Sequence, residues 1–208
     1  MKIRCSSLGK IMTKPRGKDE KLSKTAKSYI KEIAKQDFYG YEPTLDNKYL
    51  EKGRECEDTS IQLYNDVFFT MAVKNCDRKE NDYLTGECDI DLNGKIVDIK
   101  SSWSLETFPA LPEDIDNKDY IWQLRGYMLL WDAMTAELAY CMVSTPDELL
   151  NAWDNVNVHK VDHIPQEARI TTIQIERDFE LDEEIKERCK LAQEFYYDYI
   201  AELNSKNK

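Results

Sequence analysis

Asp98 and Lys100 stand two residues apart in the apolar run KIVDIK, Lys95 to Lys100. Side chains alternate across a strand, so the acid and the lysine would share one face. Such a face can hold a cation and a phosphate side by side. The adjoining Asn93-Gly94 is a strong hairpin signal, because a type I′ turn needs positive φ at both positions. With those two residues as the turn, Asp91 opposes Ile96, Asp89 opposes Asp98, and Glu87 opposes Lys100. Facing aspartates with Cβ atoms roughly 5 Å apart repel unless something lies between them. A hard divalent cation is a natural filler, since Mg²⁺ is held by one or two carboxylates plus water and phosphate. Lys100 would position or deprotonate a water, or stabilise charge on a phosphate. The competing reading is a solvated polar face, with Glu87 and Lys100 as a surface ion pair and the aspartates splayed into water.

Further polar groups fall on apolar helix faces. Leu50, Gly53, Glu57, Ile61 and Tyr64 follow helical spacing and place Glu57 inside an apolar stripe. Carboxylates are rarely buried unless paired or bound to metal. Gly53, one turn earlier, leaves space on that face. The bland alternative puts Glu57 at the edge of the stripe, reaching outward. Gln123 and Tyr127 are four apart in YIWQLRGYMLL and would meet on one face. Alone, that pair is equally a structural one.

The elements that must position these groups follow from pattern. RCSSLGKIM starts a short helix, SKTAKSYIKEIAKQDF a longer one, and Lys48 to Asn65 a third. FFTMAV, YLTGECDID and GKIVDIKSS read as a three-stranded meander. A helix over YIWQLRGYMLLWDAM, a strand AELAYCMVS, a short helix PDELLNAWDNV and a strand RITTIQIER come next. Leu181 to Leu203 is an amphipathic helix. The order predicts an α/β fold with a mixed central sheet flanked by helices.

The chain has 208 residues, which suits one domain. It divides into a basic N-terminal helical arm (1–46), a catalytic core (47–145) and a C-terminal strand and helix (146–208). Net charge is −11, yet residues 1–36 hold 11 Lys+Arg against 3 Asp+Glu. A basic arm beside an acidic body could hold phosphate while the acids hold metal; the alternative is a solvated helix without a partner. No apolar run approaches the roughly 20 residues of a membrane span. The N-terminus lacks the apolar core of a signal peptide. An intracellular, cytoplasmic protein is expected. The six cysteines have long, irregular gaps and no C-x-x-C pair, which reads as free buried thiols. His159 and His163 have a spacing that zinc ligands use, but no cysteine lies near them.

Together GRECE (Gly53 to Glu57), Asp89 in GECD, VDIK (Asp98, Lys100) and QLRGY (Gln123, Tyr127) resemble the PD-(D/E)XK nuclease superfamily. Within it they are most similar to the phage lambda-type recombination exonucleases. IRCSS, with Arg4, Ser6 and Ser7, resembles that family's early serine motif near the 5′-phosphate. Asp98 stands where many members have Glu.

The resemblance implies metal-assisted hydrolysis of DNA by a restriction-endonuclease-like core. Asp89 and Asp98 would bridge one Mg²⁺, with Mn²⁺ as a substitute. Glu57 and the Ile99 carbonyl would complete the site. Lys100 would orient the water, Gln123 would fix the site, and Tyr127 would pack or contact DNA. It further implies 5′-to-3′ digestion of linear duplex, a ring-shaped trimer and a single-strand annealing partner; with Cys189 the one late cysteine, no iron–sulfur cluster is expected. A PD-(D/E)XK endonuclease, a RecB-type nuclease and an inactive DNA-binding module on the same fold are the alternatives.

Overall fold

In the computed structural model, which describes residues 1–44 and 47–206, Asn93 (φ 53°) and Gly94 (φ 113°) make the tight turn that their types predict. They join β4 (Ile90–Asp91) to β5 (Lys95–Ser101), with Ile90 opposite Val97 and Asp91 opposite Ile96. The register is the expected one. β5 then pairs in parallel with β6 (Thr135–Cys141), which pairs antiparallel with β7 (Ile170–Glu176). The four-stranded order is β4-β5-β6-β7.

Parallel neighbours need a long crossover. Here it includes α5 (Lys118–Trp131), whose first turn is capped by Asn117 Oδ1 accepting from Asp119 and Tyr120 N–H. A second sheet, ordered β1-β3-β2, joins β1 (Ile3–Arg4), β3 (Leu84–Gly86) and β2 (Lys79–Glu80).

β5 is buried on both faces. Ile96 points into a large core with Leu124 and Met128 of α5 and Leu8 of α1 (Leu8–Met12). That core also holds α2 (Lys24–Tyr39) and the long C-terminal α6 (Phe179–Lys206), which pack on each other. Val97 and Ile99 point the other way, onto Ile61, Leu63 and Tyr64 of α4 (Glu57–Phe68). Asp98 shares the α5-facing side with Ile96.

Four expectations are corrected. The single helix from Lys48 is two, α3 (Lys48–Glu55) and α4, bent at Cys56 with φ −97° and ψ 3°. FFTMAV is no strand. α4 runs through Phe68, Phe69 closes it in the left-handed region, and Asn65 satisfies the next main-chain groups. Its Oδ1 accepts from Ala72 N and its Nδ2 donates to Ala72 O, both at 2.9 Å. A side chain thus does what a neighbouring strand would have done. PDELLNAWDNV gives no α-helix but a 3₁₀ turn, Asp147–Leu149, ended by extended Leu150, and the start of another at Val156. The expected meander also divides: β3 leaves for the second sheet, so Glu87 never meets Lys100 and pairs instead with Arg78 at 3.1 Å.

Candidate active site

Asp98 is 1% exposed, in the middle of β5. Gln123 Nε2, from α5, donates to Asp98 Oδ1 at 3.2 Å and to the Tyr127 hydroxyl at 2.8 Å. The two residues four apart therefore act together, as helical spacing requires. Asp98 Oδ2 has the Lys100 ammonium 2.5 Å away and no aligned hydrogen-bond donor among the described residues.

Asp89 reaches the same place by leaving the ladder. In an uninterrupted hairpin the Ile99 N–H would go to the Cys88 carbonyl. That carbonyl instead accepts from Asn75 Nδ2 at 2.9 Å, and Asp89 Oδ2 takes the Ile99 N–H at 2.5 Å. Burial, and then the charge of Asp98, push the Asp89 carboxyl up to about 7, against the pull of Lys100 and the Ile99 N–H. Burial by itself would lower the Lys100 pKa. The carboxylates of Asp98 and Asp89 outweigh it and hold the ammonium above the ordinary lysine value.

These groups line a cleft of about 470 Å³, together with Ile99, Gln123 and Glu57. Glu57 opens α4, and its Oε2 meets Lys74 Nζ at 2.8 Å. Gly53 fronts the same cleft, with nothing within 4 Å of where a Cβ would stand. Among the described residues no three His, Cys, Asp or Glu side chains converge closely enough to enclose a metal ion. Asp89 and Asp98 form a pair, and Glu57 is directed to Lys74. The oxygen donors of that pair are of the type a hard divalent cation takes. His159 is buried beside Thr145 and the Trp103 carbonyl, while His163 is exposed.

A second recess of about 370 Å³ adjoins the cleft, lined by Arg4, Ser6, Arg78, Glu87 and Tyr127. Ser6 lines both. Ser7 lines neither. The N-terminal segment can lie so close because Gly86 and Gly126 face Cys5: a Cβ on either would stand 2.9 Å from Cys5 Sγ.

Arg78, Tyr120 and Tyr49 are among the lining residues that escaped the sequence reading. Arg78 sits in the aperiodic stretch NCDRKEND, and only folding brings it to Glu87. Tyr120 lies one helical turn before Gln123, a spacing that could have suggested it; its ring centre is 4.8 Å from Lys100 Nζ. Tyr49 sits beside Leu50 on the cleft wall. Among the cysteines, Cys76 is exposed and the other five are buried, all without disulfides. Among the described residues no helix is long and apolar enough to cross a membrane.

No family model matches the sequence, and no curated protein does. Solved structures do. A phage related exonuclease from Haemophilus somnus 129PT matches with a TM-score of 0.92 at 40% identity, covering 98% of this chain and 96% of that one. An alkaline exonuclease from Laribacter hongkongensis matches with a TM-score of 0.71 at 18% identity, over 99% of this chain and 93% of that one. The same exonuclease in complex with dAMP gives 0.70 at 18% identity over the same shares. The Laribacter protein shares the fold. The Haemophilus protein is similar in sequence along nearly its whole length, and by that likeness this chain belongs to the phage-related exonuclease family of PD-(D/E)XK nucleases.

Proposed function

We propose that the chain is a divalent-metal-dependent deoxyribonuclease that digests linear duplex DNA from its 5′ ends in phage-type recombination, within the cytoplasm. The observation that carries this reading is the buried Asp98, held on one oxygen by Gln123 and facing Lys100 with the other, in a cleft it shares with Asp89.

The donor set fits Mg²⁺. Asp98 is buried and Asp89 half-buried beside it, the two acids repel, and Asp98 Oδ2 lacks an aligned donor. Asp89, Asp98 and the Ile99 carbonyl would hold the ion, and Glu57 would join them on leaving Lys74. When bound, such an ion polarises the scissile phosphate and lowers the pKa of the attacking water. The chain's own groups do the rest. Gln123 holds one oxygen of Asp98 and leaves the other turned to Lys100. Lys100, kept as an ammonium, orients the water and neutralises charge growing on the phosphate. Arg4, Arg78 and the Ser6 hydroxyl supply donors suited to a terminal 5′-phosphate.

Residues 1–208 are read as one nuclease unit. In support, α2 and α6 from the two ends pack together, and Arg4 and Ser6 stand beside the catalytic cleft. Assembly into a ring-shaped homotrimer, with a single-strand annealing protein as partner, belongs to the same proposal. Phe69, Met71 and Val73 are 94%, 95% and 79% exposed, an apolar strip suited to a protein contact.

End-labelled linear duplex and covalently closed circles, each with Mg²⁺ and with EDTA, test the reading. Linear duplex should shorten from its 5′ ends only with metal, and circles should survive. Rapid nicking of circles would replace exonuclease by endonuclease and leave the metal site standing.

A further inference from the structure

Tyr49 lies on the wall of the catalytic cleft but keeps 54% of its surface exposed. Its ring meets that of Trp103 edge to face, with centroids 5.1 Å apart at 77°. Trp103 in turn is fixed from behind. Its carbonyl accepts from Lys52 Nζ at 3.0 Å and from Thr145 Oγ1 at 3.1 Å, with His159 Nδ1 also at 3.1 Å. The His159 ring packs against the indole, centroids 5.1 Å apart.

Lys52 is 0% exposed, and it also donates to the Ser102 and Val143 carbonyls at 2.6 and 3.0 Å. Burying an ammonium is costly unless its donors are satisfied. Here all three donors are used, and they hold the turn that carries Trp103. A rigid support therefore stands behind an exposed ring on the cleft wall, with the Lys48 ammonium 5.8 Å from its centre. Hydrolysis of a phosphodiester does not call for such a ring.

Nucleobases do. Every base has a π-face, and stacking on an aromatic side chain is worth about 1–3 kcal/mol per base whatever its identity. Arg54, five residues further along α3, lines the same cleft and offers positive charge to the backbone of such a strand. We propose that Tyr49, braced by Trp103, is a stacking platform for an unpaired nucleobase of the DNA strand held in the cleft. This rests on the nuclease reading of the cleft, and it adds a subsite that reads a base face where the catalytic groups read phosphate.

The test uses the full chain carrying Asp98→Asn, which blocks hydrolysis, and duplexes with a short single-stranded 5′ extension. The extension carries either ordinary bases or abasic sugars. Anisotropy should show that Tyr49→Ala weakens binding of the ordinary extension roughly 5- to 100-fold. The abasic extension should bind the parent as weakly as the variant binds the ordinary one, and Tyr49→Ala should cost nothing further on it. Tyr49→Phe should restore binding. Equal losses on both extensions, no loss on either, or no measurable DNA binding by the Asp98→Asn chain and by the intact chain in EDTA would each overturn the proposal. The nuclease reading fails separately: DNA that binds with this pattern, but that the intact chain never hydrolyses with any divalent ion, removes catalysis and leaves the platform.

Discussion

The Lys100 ammonium sits between Asp98 Oδ2, 2.5 Å away, and the face of the Tyr120 ring, 4.8 Å from its centre. The lysine is thus held by a charge on one side and a quadrupole on the other. Replacing it with methionine should lower kcat by at least about 100-fold, the scale of losing one transition-state donor. Asp98→Asn keeps the side-chain shape and an oxygen for Gln123, and should be at least as damaging. Both proteins should still melt cooperatively by circular dichroism. Activity within tenfold of the parent would move the active site elsewhere.

Asp89 yields a prediction with a definite sign. Its carboxyl titrates near 7 in the fold and near 4 in an unfolded chain. The folded protein therefore binds the extra proton, and the associated stability is full below about pH 4 and lost as pH rises through 7. Asparagine at this position can still accept from the Ile99 N–H. In EDTA, urea unfolding should find Asp89→Asn more stable than the parent at pH 8, with the advantage gone near pH 4. A variant less stable at pH 8 would contradict the burial and repulsion assigned to this carboxylate.

Arg78 and Glu87 face each other inside the recess that also holds Arg4 and Ser6. A terminal phosphate would have to take Arg78 from Glu87. Arg78→Ala should raise KM for 5′-phosphorylated ends about 10- to 100-fold, the range of a charge-assisted hydrogen bond. Ends bearing a 5′-hydroxyl should be unaffected. Glu87→Gln should act in the opposite direction and strengthen the preference for phosphate. Equal responses on both kinds of end would remove the recess from phosphate recognition.

Gly126 tests the packing that brings the N-terminal segment to the site. A methyl group there would stand 2.9 Å from Cys5 Sγ. Overpacking of this kind typically costs 1–3 kcal/mol. Gly126→Ala should lose about that much in urea unfolding even though alanine is the better helix former. A neutral or stabilising effect would mean that the 3₁₀ turn at Cys5 and α5 can move apart freely.

Much of this architecture was legible because it is local. Asn93-Gly94 sets a register through its own backbone preference, so the opposition of Ile90 to Val97 follows from two residues. Gln123 and Tyr127 meet because a helix turns at a known rate. What was missed depends on distant partners. The parallel pairing of Ile3 with Leu84 joins residues with no common local pattern. FFTMAV has every strand preference and no strand, because Asn65 satisfies the groups a partner would have needed. Asp89 and Glu87 were expected on one ladder, but the ladder ends between Asp89 and Ile90, so the same alternation leads them to different neighbours. Glu57 was placed on one helical stripe with Leu50 and Gly53, but the bend at Cys56 divides that stripe, and its contact with Lys74 depends on a loop that no periodicity describes.

The Asp89 side chain stands where a main-chain carbonyl would normally receive the Ile99 N–H. One amide in the middle of the sheet is therefore tied to a group that can change its charge or exchange its partner, whereas the amides around it are tied to peptide groups that cannot. The exchange rate and resonance of that single proton report the state of one carboxylate. The fold thus contains its own indicator of whether the cleft is charged, and an isotope-labelled chain can be read there without substrate, turnover or an attached probe.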